Sequence, residues 1–296
     1  MTVVRLATRA SALARWQADH VAGLLAAAHP GLEVQVVPLS TEGDRRTDVA
    51  LSEIGGKGVF ATEVQAAVAV GRADAAVHSA KDLPARTPGE LVLAAVPERG
   101  DPRDALVGCR LRDLPTEAVV ATGSQRRRAQ LAQLRPDLRF AELRGNMATR
   151  LAKADGFDAI VVAAVALERL GLADRLDDVL PVSLMVPQVA QGALAVECRA
   201  DDQGLRDLLA AVEHGPSRRT VDAERAFLDE LGGDCTLPAG AHAVLLEDGD
   251  VRVTGVLGRP DGPSRGARRA TEQGADGPAV GRAVAAALRA AGTVTP

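Results

Sequence analysis

Apolar residues in this chain fall into short continuous runs that alternate with stripes at helical spacing, and the alternation restarts twice. The first run, residues 3–7, suits a strand covered on both faces. It passes through Thr8-Arg9-Ala10-Ser11 into an Ala/Leu-rich stretch, residues 12–28, that reads as a helix with Ser11 as its cap and His29-Pro30-Gly31 as its stop. Residues 33–39 form a second strand. Residues 40–58 are polar and carry Gly43, Gly55, Gly56 and Gly58; a loop of that length inside a compact domain is usually functional, and we read it as a lid bearing Lys57. Residues 59–70 have helical periodicity with Gly71 as the stop, and strands are predicted over 73–78 and 91–96.

The charged, Gly- and Pro-broken stretch 98–104 marks a hinge. Beyond it strands at 118–121, 139–143 and 158–163 alternate with helices at 124–134 and 147–154, which makes a second α/β lobe. Residues 181–187 look like a second crossing, followed by a strand at 192–197 and a helix at 203–213. Two crossings predict a chain that returns to its first lobe. Lobe 1 is then discontinuous, 1–98 and 192–214, lobe 2 is 103–187, and the fold class is α/β with two lobes joined by a hinge, the topology of two-lobed ligand-binding proteins. From residue 216 to 296 a small C-terminal α+β domain follows. It holds an amphipathic helix over 217–231 with Val221, Ala223, Phe227, Leu228 and Leu231 inward, a hairpin over 243–247 and 251–257, and a helix over 279–290. No repeat of solenoid period is visible, although the two lobes share a strand–helix rhythm.

Composition narrows the function class. With 47% hydrophobic and 25% charged residues the 296-residue chain is globular. No apolar run approaches the ~20 residues of a membrane span, so no membrane partner is expected. Met1 leads into a strand rather than a secretion signal, which makes a cytoplasmic location the expectation; a monomer is expected as well. Net charge is −4, pI about 5.8, aromatics are 2% and tyrosine is absent, so nucleic-acid binding is disfavoured for want of basic surface and stacking platforms. Cys109, Cys198 and Cys235 are too few and too widely spaced for a disulfide framework or a zinc site. Cys109 and Cys198 sit in apolar runs and read as small hydrophobes. No metal is expected.

The candidate chemistry lies where apolar runs stop. The run Ala75-Ala76-Val77-His78 hands over to Ser79-Ala80-Lys81-Asp82, and ligands of open α/β sheets sit beyond the carboxyl ends of such strands. Asp82 is the candidate reacting carboxylate, although a Lys-Asp dipeptide taken alone reads first as a surface ion pair. Thr122-Gly123-Ser124-Gln125-Arg126-Arg127-Arg128 spans a strand-to-helix turn, where backbone N–H groups and the helix dipole favour an anion. Arginines are wrong for the dipole there, so a negatively charged ligand explains them, as does a plain Arg-rich solvated face. Leu143-Arg144-Gly145-Asn146 and Arg150 repeat the pattern. Lysine occurs only at 57, 81 and 153 among 35 basic residues. Guanidinium forks suit carboxylates, so the pattern points to a polycarboxylate ligand. Cys235, after Gly232-Gly233, suits either a covalent attachment point or a structural thiol.

The ordered blocks Ala7-Thr8-Arg9-Ala10-Ser11, Gly55-Gly56-Lys57-Gly58, His78 through Pro84, Asp101-Pro102-Arg103-Asp104, Arg126-Arg127, Leu143-Arg144-Gly145-Asn146 with Thr149-Arg150, Gln191-Gly192-Ala193 and Gly232-Gly233-Asp234-Cys235 resemble the porphobilinogen deaminase (hydroxymethylbilane synthase) family over nearly the whole chain. The resemblance implies three domains, two of them like the lobes of periplasmic binding proteins, a dipyrromethane cofactor held as a thioether on Cys235, and stepwise addition of four porphobilinogen molecules with release of ammonia. It implies that Asp82 is catalytic and that Lys81, Asp82, Thr122, Ser124, Arg126, Arg127, Arg144 and Gly145 contact the cofactor. Arg9, Ser11, Gln17, Lys57, Ser79, Asn146, Arg150 and Gln191 are the implied substrate contacts. Three positions depart from the family pattern: Gly123 replaces a usual serine, Glu53 a common lysine, and Asp234 a glycine before the cysteine.

Overall fold

The computed structural model describes residues 3–40, 61–232, 237–259 and 266–291. The loop read as a lid, with Glu53 and Lys57, lies outside the described residues, as do Asp234 and Cys235. The chain divides into two compact units, Met1–Gly100 with Gly192–Arg218, and Asp101–Gln191 with Arg219–Pro296.

In the first unit, β1 (Val3–Arg9) pairs in parallel with β2 (Glu33–Leu39) and β3 (Ala75–Ser79). Beside β3 lies an antiparallel strand laid down much later in the chain, Leu194–Arg199, and outside that β4 (Leu91–Ala95). Helix α1 (Ala12–Ala28) puts Ala18, Val21 and Leu25 onto Val4, Leu6 and Val77, while α2 (Thr62–Ala69) puts Val64 and Val68 onto Ala7 and Ala76. Strand residues that alternate between two covered faces are apolar on both, which is why these strands read as continuous runs. The α2 face also buries polar groups: Gln65 Nε2 donates to Glu197 Oε2 at 2.8 Å, and His78 Nε2 lies 3.3 Å from that oxygen. Burial disfavours the charge on Glu197, but His78, Gln65 and Thr87 outweigh it and hold the carboxyl below its usual range.

The second unit repeats the plan. Strand β6 (Val119–Ala121) is parallel to β7 (Arg139–Ala141) and β8 (Ala159–Ala163), with β5 (Asp104–Val107) antiparallel to β8 and β9 (Asp178–Val179) at the edge. Numbering the later strand Leu194–Arg199 as β10, the two sheet orders are β2-β1-β3-β10-β4 and β7-β6-β8-β5-β9. In each, the antiparallel strand is the first one laid down after the chain has crossed. The fold class is therefore α/β as the pattern predicts, and the shared rhythm is a repeated topology. One expectation changes: Asp104, placed at the end of a hinge, opens β5, whose four residues are all buried. A four-residue strand that begins with a carboxylate carries too little apolar signal to be seen in sequence.

The C-terminal segment comprises α7 (Gly215–Glu230), the antiparallel meander β11 (Ala239–Leu245), β12 (Val251–Gly258) and β13 (Ala267–Gly274), and α8 (Gly277–Ala290). Helices α3 (Gln125–Leu134), α4 (Met147–Ala152) and α5 (Ala164–Arg169) belong to the α/β part of the second unit, and α6 (Gln203–Ala210) to the first. The hairpin read in sequence is present, but β11 starts at Ala239 and the third strand was not foreseen. Its sequence, ARRATEQG, is polar because most of its positions are not buried. Within the unit Ala129 and Val186 pack on Val256 and Ala267. The fully buried Glu224 of α7 accepts the Ala190 N–H at 2.6 Å and the Ala243 N–H at 2.8 Å.

Helix α8 approaches α7 at Gly281, where an added Cβ would stand 2.1 Å from the Ala223 carbonyl oxygen. Gly281→Ala is expected to destabilise the protein by about 1–3 kcal/mol in urea unfolding. Gly23→Ala, in α1 with nothing within 4 Å of the added carbon, should stabilise it by about 0.4–1 kcal/mol. Equal effects of the two substitutions would contradict the packing described.

Candidate active site

In the first unit the neighbouring parallel strands β1 and β3 end side by side. After β1, Ser11 caps α1, its hydroxyl accepting the Ala14 N–H at 3.3 Å. After β3 the chain makes a 3₁₀ turn, Ala80–Asp82, fixed by the Ala80 N–H donating to Ala193 O at 3.0 Å. Arg9 Nη1 then stands 4.0 Å from Asp82 Oδ2, both side chains partly exposed. A small cleft of about 60 Å³ is lined by Arg9, Ser11, Gln17, Ser79 and Asp82, so these five predicted residues come together. The buried Gln17 donates from Nε2 to Ser79 Oγ at 2.7 Å, and Thr8 Oγ1 lies 3.2 Å from both Ala14 O and Val77 O. Those bonds tie α1 to the ends of β1 and β3. Lys81 sits on the same turn but is not part of the cleft lining.

The strand ends of the second unit carry cations. Ser124 caps α3 by accepting the Arg127 N–H at 3.4 Å, and its own N–H donates to Thr122 Oγ1 at 3.2 Å. Asn146 caps α4 by accepting the Thr149 N–H at 3.0 Å, and Arg150 Nε donates to Gly145 O at 2.9 Å. Arg128 donates from Nε and Nη2 to Thr122 O, at 3.1 and 2.9 Å.

Arg126 and Arg127 do not lie on a solvated face. They are 3% and 6% exposed and flank Asp104, which has no exposure. Arg126 Nη1 is 2.7 Å from Asp104 Oδ2, while Arg127 Nε and Nη2 are 3.0 and 2.8 Å from Oδ1. Gln191 Nε2 donates to the same Oδ1 at 2.9 Å and to Pro102 O at 2.8 Å, so its amide is directed at this cluster. Burial opposes the charge on Asp104, yet Arg126 and Arg127 hold its carboxyl far below the usual carboxylate range. Burial likewise lowers Arg126, with Asp104 opposing and Arg127 adding to the shift. Two guanidiniums against one carboxylate leave one buried positive charge in excess. Arg126 Nε and Nη2 are buried with no hydrogen-bond partner, and such donors are costly unless something accepts from them. Asp104 was not foreseen as a site residue; the signal available was its place in the Asp-Pro-Arg-Asp block.

Residues 4–207 match the family described as "Porphobilinogen deaminase, dipyromethane cofactor binding domain", and residues 218–290 match "Porphobilinogen deaminase, C-terminal domain". The chain belongs to the porphobilinogen deaminase family. Among solved structures it is similar to a TRAP periplasmic solute-binding protein from Bordetella bronchispeptica, at 15% identity over 78% of this chain and 83% of that one with a TM-score of 0.40. A TRAP solute-binding protein from Rhodobacter sphaeroides gives 13% identity, 78% and 81% coverage and 0.42. The reduced regulatory domain of OxyR from Psedomonas aeruginosa gives 13% identity, 71% and 97% coverage and 0.41. As a member of this family the chain carries a dipyrromethane-binding domain, and the family is one of transferases of tetrapyrrole biosynthesis. The residues present fit such a group: the unpartnered Arg126 donors and the excess buried charge call for an anionic ligand, and a carboxylated dipyrrole provides one. Among the described residues no group of three His, Cys, Asp or Glu is placed to hold a metal, and no helix is long and apolar enough to cross a membrane.

Because the Asp104 carboxyl lies below its unfolded value of roughly 3.9, it adds stability above that pH and loses it as pH falls toward the folded value. Asp104→Asn should lower stability at pH 7 by about 3–5 kcal/mol, the size found when one partner of a buried pair is removed. Urea unfolding of wild type between pH 7 and 3 provides a second reading should the variant not fold. It should show a fall that starts below about pH 4, and a flat profile there would contradict the buried ion cluster.

Proposed function

We propose that this member of the family joins four porphobilinogen molecules head to tail, releases one ammonia per addition, and frees the linear tetrapyrrole hydroxymethylbilane by hydrolysis. The observation that supports it most is the placement of Asp82 beside Arg9 at the adjoining ends of β1 and β3. A carboxylate there can accept hydrogen bonds from pyrrole N–H groups, and a cation next to it can take a ring carboxylate. Positive charge develops on the substrate's pyrrole and methylene as the amine of its aminomethyl group leaves, and Asp82 is assigned to stabilise that charge and to carry the proton exchanged with the amine. In each addition one C–N bond breaks, one C–C bond forms, and the proton lost from the attacked ring carbon leaves with the ammonia. Acid–base assistance of this kind is worth roughly 10²–10⁴-fold, with electrostatic stabilisation of the cation in addition.

The dipyrromethane, when bound, supplies the pyrrole carbon from which the chain is extended. Cys235 is assigned as its thioether anchor. Lys81, Thr122, Ser124, Arg126, Arg127, Arg144 and Gly145 are assigned to hold it, with Arg126 offering its unpartnered Nε and Nη2. Arg9, Ser11, Gln17, Lys57, Ser79, Asn146, Arg150 and Gln191 are assigned to the substrate. Gln191 takes this part through Asp104, to which its amide is bonded. Gln17 likewise orients the Ser79 hydroxyl.

Purified protein incubated with porphobilinogen should release ammonia, and the peptide containing Cys235 should carry the added mass of a dipyrrole. A saturable polycarboxylate complex without ammonia release would identify a binding module instead. Asp82→Asn should fold normally and lose at least ~100-fold in turnover, since it keeps the shape and deletes the titrating group; near-normal turnover would remove Asp82 from the mechanism. Arg126→Leu should lose the bound dipyrrole, and a full complement of it would contradict the cofactor-binding role.

A further inference from the structure

Glu142 stands among the cations at the end of β7. Its carboxylate is half exposed, with Oε1 2.8 Å from Arg128 Nη2 and Oε2 4.0 Å from Arg144 Nε. The space it occupies is adjacent to Gly123. A Cβ added at Gly123 would stand 3.3 Å from Glu142 Oε2 and 3.1 Å from Leu143 O, closer than a side chain ordinarily packs. The glycine that replaces the usual serine in the Thr-Gly-Ser turn thus leaves the tip of this carboxylate undisturbed, and a larger residue there would make it shift by a few tenths of an ångström. Gly123 and Glu142 form a structural pair.

We propose that Glu142 is a specificity-determining residue of this edge: a resident carboxylate that occupies Arg144 and Arg128 and competes with incoming anions for them. This rests on the assignment of Arg144 to ligand carboxylates made above. An ion pair of this exposure contributes little, so the Glu142 side chain can swing into solvent at small cost. A polycarboxylate held at several points, such as a pyrrole bearing acetate and propionate arms, displaces it through the other contacts it makes. A small inorganic anion with one point of contact does not gain enough to do so. Selectivity then comes from a competing charge rather than from an added attraction.

Three single variants and one double variant test this by two measurements: KM for porphobilinogen in the ammonia assay, and equilibrium binding of citrate, a small polycarboxylate probe that needs no turnover. Glu142→Gln should lower both KM and the citrate Kd by about two- to fivefold, the size of an exposed ion pair. Glu117→Gln, which removes the same charge from beside Arg139 at the other end of these strands, should change neither. Gly123→Ser should push the Glu142 carboxylate aside and shift both values in the same direction. Its combination with Glu142→Gln should give no more than Glu142→Gln alone, because the two act on one group. Unchanged or weakened binding in Glu142→Gln, an equal effect of Glu117→Gln, or additivity in the double variant would overturn the proposal. Wild-type protein that releases no ammonia would overturn the enzymatic reading instead, and the citrate measurements would still decide the role of Glu142.

Discussion

A carboxylate without solvent exposure, gripped by two guanidiniums and an amide, is the interaction on which the second unit depends. Asp104, Arg126, Arg127 and Gln191 are remote in sequence, and each lies where a segment begins or ends: the start of β5, the first turn of α3 and the end of the return crossing. Charges taken out of water are stable only when partners meet them in good geometry. The cluster therefore fixes three backbone segments at once, because a displacement of any one strands a charge in the interior. The cluster itself also holds one more positive charge than it neutralises, a property that no packing of apolar residues could give.

Around that constraint the two α/β sheets follow one topology. In each, a strand runs into a helix through a short turn closed by a serine cap, Ser11 after β1 and Ser124 after β6. The functional groups follow from those turns, since parallel strands that end together present their last residues to the same edge. What differs is the charge: the first unit places Asp82 beside Arg9, whereas the second lines its strand ends with Arg128, Arg144 and Arg150. One scaffold thus supplies a group able to handle a proton, and its repeat supplies groups able to grip carboxylates.

Much of this was legible in the sequence because its signal is local. The Ser11 cap, the apolar stripe of α1 and the run ending at Asp82 each follow from a few neighbouring residues, and the two crossings follow from breaks in the rhythm. What was hidden depends on partners distant in sequence. Strand β5 has four residues and starts with a charge, so only the pairing with β8 and β9 defines it. Strand β13 is polar, and only β12 gives it a register. Arg126 and Arg127 were read rightly as out of place for the helix dipole, but the sequence could not say that a buried aspartate twenty residues earlier accounts for much of their charge. The choice between a solvated face and an ion cluster is decided by burial, which periodicity over a single Arg-rich turn does not encode.

The arginines of the second unit therefore have two kinds of counter-charge, and the difference between them is physical rather than nominal. Asp104 is buried, fully partnered and held ionised, so it is a permanent part of the fold and cannot yield its place to a ligand. Glu142 is half exposed and reaches Arg128 and Arg144 from the solvent side, so leaving costs it little. On the proposed function, which takes up carboxylates repeatedly, the two counter-charges have separate parts. Without the first, adjacent guanidiniums would repel one another in the interior; the second screens the more exposed Arg128 and Arg144 without holding them permanently. Burial sets which counter-ion is structural and which is exchangeable, and the exchangeable one has its carboxylate tip beside Gly123.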